Sequence, residues 1–232
     1  MRSIVSILEN VMEQYELNGH RDDGRGVCTD CWYLGLYEKS GVLAREFVKR
    51  GYKAMCVDLD AEPGERDGVT YVRADMCNWI PPRNVIEAGV AFLAAFPPCD
   101  HLAVSGARWF AGKGLGALAQ SVELFGKAAF WAEYFDAPYM IENPVSTIST
   151  YWRKPDYSFH PWQYSGLNAD DCYTKKTCLW TGNGFVMPEP DHPADVVPDD
   201  RIHKAAPGPD RASFRSRTPQ GFSIAVAASN CC

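Results

Sequence analysis

The 232-residue sequence contains no apolar run approaching the roughly 20 residues that are needed to cross a membrane. Its first residues lack the basic-then-apolar pattern of a secretory signal peptide. Internal repeats and low-complexity segments are also missing, so nothing indicates a repeat architecture. We therefore expect a cytoplasmic protein that does not associate with membranes.

The sequence has fewer positively charged than negatively charged residues. Lysine and arginine total 23 against 29 aspartate and glutamate, which gives a formal net charge of −6. Because affinity for phosphate comes mainly from lysine and arginine, this balance argues against binding nucleic acid by overall attraction. A local basic face remains compatible with it, and scattered solvated charges are the alternative. Candidates for such a face are Arg108 and Lys113, Lys175 and Lys176, and Arg211, Arg215 and Arg217.

The nine cysteines do not suggest a disulfide framework, because their number is odd and they are scattered through apparent strands and loops. We expect reduced thiols, at least one of which is free for chemistry. The pair Cys28 and Cys31 has the spacing of a zinc or redox motif, and Cys231 and Cys232 could complete four ligands. A second such motif is missing, so we expect no metal site.

The composition, with 46% hydrophobic residues, predicts a chain that buries one sizeable core. Residues 1–26 are predicted to form an amphipathic helix and a linker, and residues 27–182 the main domain. Residues 183–213 include a stretch rich in Pro, Asp and His that is predicted to be irregular. Residues 214–232 hold a final helix.

Within the main domain, apolar runs alternate with helical patterns, which predicts an α/β fold with a mostly parallel sheet and helices on both faces. In such sheets, ligands bind at the carboxyl ends of the strands. The predicted strands are 31–37, 53–57, 69–73, 90–96 and 138–141. The predicted helices are 41–50, 118–135 and 220–229.

Two tripeptides follow apolar runs of this sheet, Pro97-Pro98-Cys99 and Glu142-Asn143-Pro144. They suggest a cysteine nucleophile and a carboxylic acid that face one pocket. This pair suits attack on a pyrimidine ring, because adding a thiolate to carbon 6 of cytosine pushes electron density onto carbon 5. A carboxyl group that protonates or hydrogen-bonds ring nitrogen 3 stabilises the resulting enamine.

In these motifs the chain resembles the cytosine-5 DNA methyltransferase family, and especially its short phage-type members. Residues 98–106 resemble that family's nucleophile segment without gaps, and Glu142-Asn143-Pro144 resembles its Glu-Asn-Val element. Residues 164–182 look like its basic strand, and residues 215–222 are similar to its final element. The resemblance covers roughly residues 34–229.

The resemblance implies a Rossmann-like methyltransferase fold with a minimal target-recognition excursion, in a phage or prokaryotic host cell. It implies that S-adenosylmethionine donates a methyl group to carbon 5 of cytosine in DNA, the base being flipped or single-stranded, and it indicates no obligate protein partner. The implied catalytic residues are Cys99, Glu142, Lys175 and Thr177. The implied cofactor-binding residues are Tyr37, Glu38, Ser40, Gly41, Asp58 (or Asp60), Asp75 and Pro97. The DNA-binding candidates are Arg108, Lys113, Lys176, Arg215 and Arg217.

Two departures from the family pattern leave alternatives open. The cofactor loop, an aromatic residue followed by Gly-x-Gly in the family, runs from Tyr37 to Gly41 here and keeps only the last glycine. Glu38 is then expected to contact the sulfonium or amino group of the donor, and the unusual cation Lys39 admits a modified, more anionic donor. A free nucleotide as the substrate and a catalytically silent nucleic-acid-binding module also stay open.

The second departure is the small size of the target-recognition region. A short excursion reaches few base edges, which are what specify sequence, so we expect relaxed or short sequence specificity. Residues 107–116, which contain Arg108, Lys113 and three glycines, are expected to form a mobile loop that closes over a flipped base.

Overall fold

The computed structural model describes residues 30–204 and 211–231. One eight-stranded sheet forms the centre of the described chain. Its strands are β1 (Trp32–Leu36), β2 (Lys53–Asp58), β3 (Gly64–Arg66), β4 (Val69–Arg73), β5 (Val90–Ala95), β6 (Tyr139–Pro144), β7 (Tyr157–Phe159) and β8 (Thr177–Gly182). The helices are α1 (Val42–Val48), α2 (Arg83–Ala88), α3 (Phe110–Phe135), α4 (Ile148–Tyr151), α5 (Arg201–Lys204), α6 (Arg211–Ser216) and α7 (Gln220–Asn230). Short 3-10 helices cover Val104–Trp109, Pro161–Tyr164 and Ala169–Asp171.

The strand order across the sheet is β3-β4-β2-β1-β5-β6-β8-β7. Strands β4, β2, β1, β5 and β6 are parallel, and their carboxyl ends therefore meet at one edge. Strand β8 lies antiparallel between β6 and β7, and β3 adds a short antiparallel strand at the opposite side of the sheet. This arrangement is the Rossmann-like α/β fold that the sequence predicts.

Alternate residues of the central strands enter two different apolar cores, because side chains along a strand point to opposite faces of the sheet. In β1, Leu34 belongs to the core that α3 covers with Phe125 and Trp131. Its neighbour Tyr33 faces the other core, where its ring lies 4.8 Å from that of Phe47 in α1. Helix α7 packs on this second face beside α1. Helices thus cover both faces of the sheet.

The structure extends several predicted elements. Strand β6 runs past Ile141 to Pro144, so Glu142 lies inside the strand, where it pairs with Leu179 of β8. Helix α3 begins at Phe110 rather than at residue 118, and Gly114, with φ 77° and ψ 176°, interrupts it. The predicted helix in residues 1–26 lies outside the described residues.

Residues 183–200 contain neither helix nor strand, whereas residues 201–204 of the same predicted irregular segment form helix α5. This segment nevertheless folds back on the domain, because Thr174 N donates to Asp199 O and Asp199 N donates to Cys172 O. The predicted division into four segments stays a prediction.

Cysteine pairing differs in part from the expectation of reduced thiols, because Cys31 is disulfide-bonded. Among the other described cysteines, free thiols are carried by Cys56, Cys77, Cys99, Cys172 and Cys178. Within residues 30–204 and 211–231, no cluster of three His, Cys, Asp or Glu side chains is arranged to hold a metal ion. No helix in the same ranges combines the length and apolar character of a membrane span.

Candidate active site

The segment after β5 presents Cys99 at the edge where the parallel strands end. Prolines 97 and 98 restrict the backbone before it. The carbonyl of Cys99 then accepts hydrogen bonds from Leu102 N at 3.0 Å and Ala103 N at 2.9 Å, which closes a tight turn. Leu102 and Ala103 are buried, so the turn is anchored in the core behind a half-buried Cys99.

The two predicted tripeptides are in direct contact. Asn143 Nδ2 donates to the carbonyl of Pro97 at 2.9 Å, and Asn143 is buried. Beyond this bond, Val104 N donates to Val145 O and Thr147 N donates to Leu102 O, each at 3.0 Å. The segments that carry Cys99 and Glu142 are therefore joined by several hydrogen bonds.

Glu142 points into a narrow pocket between the sheet and the start of α7. The lining residues of this pocket are Phe96, Met140, Glu142, Phe159, Lys175, Thr177, Thr218, Pro219 and Phe222. Atom Oε1 of Glu142 is buried and has no hydrogen-bond partner within the described chain. Burial raises the pKa of the Glu142 carboxyl, and the charge of Lys175 partly opposes this. An unpaired buried carboxyl is costly, so this group is suited to bind a polar ligand atom.

Cys99 and Glu142 influence each other electrostatically. Burial raises the pKa of the Cys99 thiol to about 11, with the charges of Glu142 and Asp100 acting in the same direction and Lys175 in the opposite one. The thiol is therefore protonated at neutral pH in the free protein. A cysteine nucleophile reacts as the thiolate, so a nucleophilic role for Cys99 requires loss of this proton.

This coupling predicts a shift in thiol reactivity. Replacing Glu142 with glutamine removes a negative charge beside Cys99, so the thiol pKa should fall and alkylation by iodoacetamide at pH 8 should become several-fold faster. Lys175→Ala should slow it, because the cation that lowers the thiol pKa is lost. Peptide mass spectrometry would follow Cys99 separately from the other thiols.

The matched control is Glu133→Gln, because Glu133 is an exposed glutamate of α3 away from the pocket. Its alkylation rate should equal that of the wild type. An unchanged pH profile in Glu142→Gln would contradict the assigned coupling.

Lys175 and Thr177 flank the acid in different ways. Lys175 Nζ donates to the carbonyl of Arg217 at 3.4 Å, which places the cation between Glu142 and the segment before α7. Thr177 is buried, and its hydroxyl donates to the carbonyl of Lys175 at 3.2 Å. The Thr177 hydroxyl thus holds the backbone at the start of β8, and Lys175 is the side chain that faces Glu142.

The predicted cofactor residues separate into two sets. Asp58 at the end of β2, Asp75 after β4 and Pro97 after β5 all lie at the carboxyl edge of the sheet. Asp58 Oδ1 accepts a hydrogen bond from Asp60 N at 2.8 Å, and Asp75 Oδ1 accepts one from Cys77 N at 3.0 Å. Burial raises the pKa of the Asp58 carboxyl, which the nearby Lys39 partly opposes.

Three residues predicted to bind the cofactor, Tyr37, Ser40 and Gly41, lie in the loop between β1 and α1. Tyr37 adopts φ 57°, an unfavourable value for a bulky residue, and its hydroxyl donates to the carbonyl of Leu124 at 2.7 Å. Ser40 is exposed at the edge. Gly41 adopts φ 62°, and a Cβ there would collide with the Tyr71 hydroxyl, so this position requires glycine. Their role in cofactor binding stays a prediction.

Glu38 does not face the edge of the sheet. Only 2% of the residue is exposed, and its carboxylate lies in the core between β1, β2 and α1. The expected contact with the sulfonium or amino group of a donor is therefore not formed by this side chain. Gly35 and Tyr33, which create its site, carry no recognisable signal in the sequence.

The cations predicted to bind DNA lie on both sides of the Cys99 turn. Arg108 stacks over the ring of Trp109 at 5.0 Å, and 60% of Trp109 is exposed. Lys113 Nζ donates to the carbonyl of Asp100, next to Cys99, at 2.5 Å. On the other side, Lys176 is exposed, Arg215 lies in α6, and Arg217 stacks over Phe214 at 5.5 Å.

A larger cavity of about 300 Å³ adjoins the acid pocket, and Thr218 lines both. Sequence reasoning missed most of its walls, because they come from the region of the 3-10 helix at residues 169–171, from α5 and from the segment that leads into α7. They are Val42, Asn168, Asp170, Asp171, Tyr173, Arg201, Ile202, Phe214, Arg217, Thr218 and Gln220. Asp171 Oδ2 accepts a hydrogen bond from Gly221 N at 2.7 Å, which satisfies the first turn of α7.

Leu59 is a second residue that sequence reasoning missed. It follows Asp58 directly, and 65% of this apolar side chain is exposed at the carboxyl edge of the sheet. The signal that could have found it is an apolar residue next to an acid at a strand end. Such a side chain offers a surface for a flat ring.

No protein-family model and no curated protein matches the chain. A crystal structure of a Spodoptera frugiperda DNMT2 mutant is similar at 13% identity and TM-score 0.40, over 77% of this chain and 60% of that one. The glycopeptide N-methyltransferase MtfA is similar at 13% identity and TM-score 0.29, over 75% of this chain and 71% of that one. Its complex with (S)-adenosyl-L-methionine is similar at 13% identity and TM-score 0.29, over 82% and 73%. The chain thus spans about 60% of the length of the DNMT2 chain, and these likenesses concern the fold alone.

Proposed function

We propose that this protein is a methyltransferase that transfers the methyl group of S-adenosylmethionine to carbon 5 of cytosine in DNA. The observation that carries the proposal is the joining of Cys99 and Glu142 at one edge of the sheet through the hydrogen bond from Asn143 to Pro97. The resemblance of both motifs to the cytosine-5 DNA methyltransferases supports it. The unpartnered Oε1 of Glu142 supports it further, because ring nitrogen 3 of cytosine would satisfy that atom.

In the proposed reaction, the Cys99 thiolate adds to carbon 6 of the base while the carboxyl of Glu142 gives its proton to nitrogen 3. The raised pKa of Glu142 brings the carboxyl closer to the protonated form that this step needs, while its ionised fraction raises the pKa of the Cys99 thiol in the free protein. After carbon 5 has received the methyl group, it loses its proton to solvent, the bond between Cys99 and carbon 6 breaks, and nitrogen 3 returns its proton to Glu142. The chain is then unchanged.

The edge of the sheet fits S-adenosylmethionine at several points, and the donor supplies the methyl group when it is bound. Asp58 has a carboxylate for the ribose hydroxyls, and the exposed Leu59 offers a surface for the adenine ring. The cavity beside Thr218 would take the amino-acid end, because Asp170 and Arg217 line it with opposite charges. Ser40, Asp75 and Pro97 complete the residues that we assign to the donor.

DNA as the substrate is supported by the cations around the Cys99 turn. Arg108, Trp109 and Lys113 combine charge with an aromatic ring suited to stacking on an extruded base. The interruption of α3 at Gly114 lies directly after them and gives this segment a place to bend. Because residues 183–200 form only a short irregular excursion, we propose relaxed or short sequence specificity.

The proposal is tested by incubating the full chain with methyl-labelled S-adenosylmethionine and either double-stranded DNA, single-stranded DNA or dCMP. We expect the label in 5-methylcytosine of DNA, identified by mass analysis of the nucleosides. Label in adenine or in an exocyclic amine would contradict the carbon-5 chemistry, and label in dCMP alone would make a nucleotide the substrate. If the protein bound S-adenosylmethionine but transferred no methyl group to any substrate, the result would indicate a catalytically silent nucleic-acid-binding module. Sequencing of the product would reveal a long fixed site if the specificity proposal is wrong.

A further inference from the structure

Glu38 is a buried acid that the proposed reaction does not use. It lies in the short loop between β1 and α1. Its Oε2 accepts hydrogen bonds from the Tyr33 hydroxyl at 2.6 Å and the Cys56 thiol at 3.5 Å, and its Oε1 accepts one from Leu43 N at 3.2 Å. A single carboxylate thus ties together a residue of β1, a residue of β2 and the first turn of α1.

The strand beside this acid is shaped to receive it. A Cβ added at Gly35 would lie 2.2 Å from Oε2 of Glu38 and 3.2 Å from the Cys56 sulfur. Glycine in a strand interior costs roughly 0.5–1 kcal/mol relative to alanine. Its presence in the central strand β1 is explained by the room that the carboxylate needs.

The acid fixes the loop that faces the donor edge. The backbone N–H of Glu38 donates to the carbonyl of Val57 at 3.3 Å, so both its backbone and its side chain are held. The next two residues, Lys39 and Ser40, are exposed, and the charge of Lys39 reaches Asp58. The loop therefore keeps a defined shape although it lacks the first glycine of the family pattern.

We propose that Glu38 is a positioning residue for the donor, whose buried carboxylate holds Lys39 and Ser40 beside Asp58 in the conformation that binds S-adenosylmethionine. This inference rests on the proposed function. Glu38 acts through the loop and touches neither the donor nor the base. Gly35 contributes to the same arrangement, because the absence of a Cβ at this position leaves the space that the Glu38 carboxylate occupies.

The test compares Glu38→Ala, Glu38→Gln and Gly35→Ala with the wild type by calorimetry of S-adenosylmethionine binding. Glu38→Ala should weaken binding about tenfold, which corresponds to roughly 1.4 kcal/mol. Gly35→Ala should have a similar effect because it displaces the carboxylate. Glu38→Gln retains an acceptor for Leu43 N, so it should restore affinity to within about threefold of the wild type. In steady state, the loss should appear in the KM for the donor, with kcat and the Kd for DNA little changed.

The matched control for the glycine variant is Gly126→Ala, because a Cβ at Gly126 in α3 would meet nothing within 4 Å. It should bind the donor as the wild type does. Thermal unfolding of each variant separates positioning from packing. A lower Tm together with unchanged donor affinity in Glu38→Ala or Gly35→Ala would overturn the inference. If Glu38→Ala does not fold, the comparison of Glu38→Gln and Gly35→Ala with the wild type decides the question. Failure of the wild type to bind S-adenosylmethionine would instead refute the proposed function.

Discussion

Replacing Cys99 with alanine should abolish methyl transfer, with turnover falling by roughly 10⁴-fold or more because the covalent route is lost. The same variant should no longer form a covalent complex with DNA that contains 5-fluorocytosine, since fluorine at carbon 5 traps the adduct only if a sulfur has added to carbon 6. Both effects follow from the position of Cys99 beside Glu142. The measurements are transfer of labelled methyl groups and a gel assay for the covalent complex.

The control is Cys172→Ala, which removes another free thiol, one that donates to the carbonyl of Val197 on the irregular segment. It should keep activity and covalent capture. Calorimetry should show that Cys99→Ala still binds S-adenosylmethionine, which establishes that the fold and the donor site persist. A fully active Cys99→Ala would refute the assigned nucleophile.

Replacing Glu142 with glutamine should lower turnover by about 10²–10⁴-fold, the usual contribution of a positioned general acid. Glutamine fills the same space but has no proton to give to ring nitrogen 3. The variant should nevertheless react faster with iodoacetamide, because the thiol of Cys99 loses a nearby negative charge. A faster reaction of Cys99 with iodoacetamide together with slower methyl transfer would indicate that only the acid has been lost. A pocket whose structure is disturbed would not produce these two opposite changes.

Glu133→Gln serves again as the control and should change neither rate. Glu142→Gln should also bind DNA and donor with affinities near those of the wild type. Full methyl transfer by Glu142→Gln would contradict the role of the acid. A fall in both rates would assign Glu142 to packing.

The sequence predicted the central part of the sheet well. The pattern of 69–73 matched β4 at both ends, and the runs before Cys99 and Glu142 matched β5 and the first half of β6. The runs before Cys99 and Glu142 are continuously apolar, as is typical of buried parallel strands, whereas residues 69–73 alternate between buried and partly exposed positions. Because such strands end at a common edge, the meeting of Cys99 and Glu142 could be deduced without coordinates.

Features that depend on contacts between distant parts of the chain were not predictable in the same way. Strand β3 is three exposed residues, so it has no apolar pattern of its own. The cavity beside Thr218 forms where the 3-10 helix at residues 169–171, helix α5 and residues 214–220 meet, and these segments are separated along the sequence. Glu38 was expected to contact the donor because it lies in the predicted cofactor loop, whereas the Tyr33 hydroxyl and Leu43 N donate to its carboxylate inside the core.

The hydrogen bond from Asn143 to Pro97 has a consequence for the energetics of base extrusion. A nucleophile and an acid that are already held together lose little conformational entropy when a substrate arrives. Extracting a base from the duplex costs a few kcal/mol. Because this hydrogen bond sets the geometry during folding, the free energy released by the proposed contacts of Arg108 and Lys113 with DNA would be available for unstacking the target base rather than for ordering the protein around it.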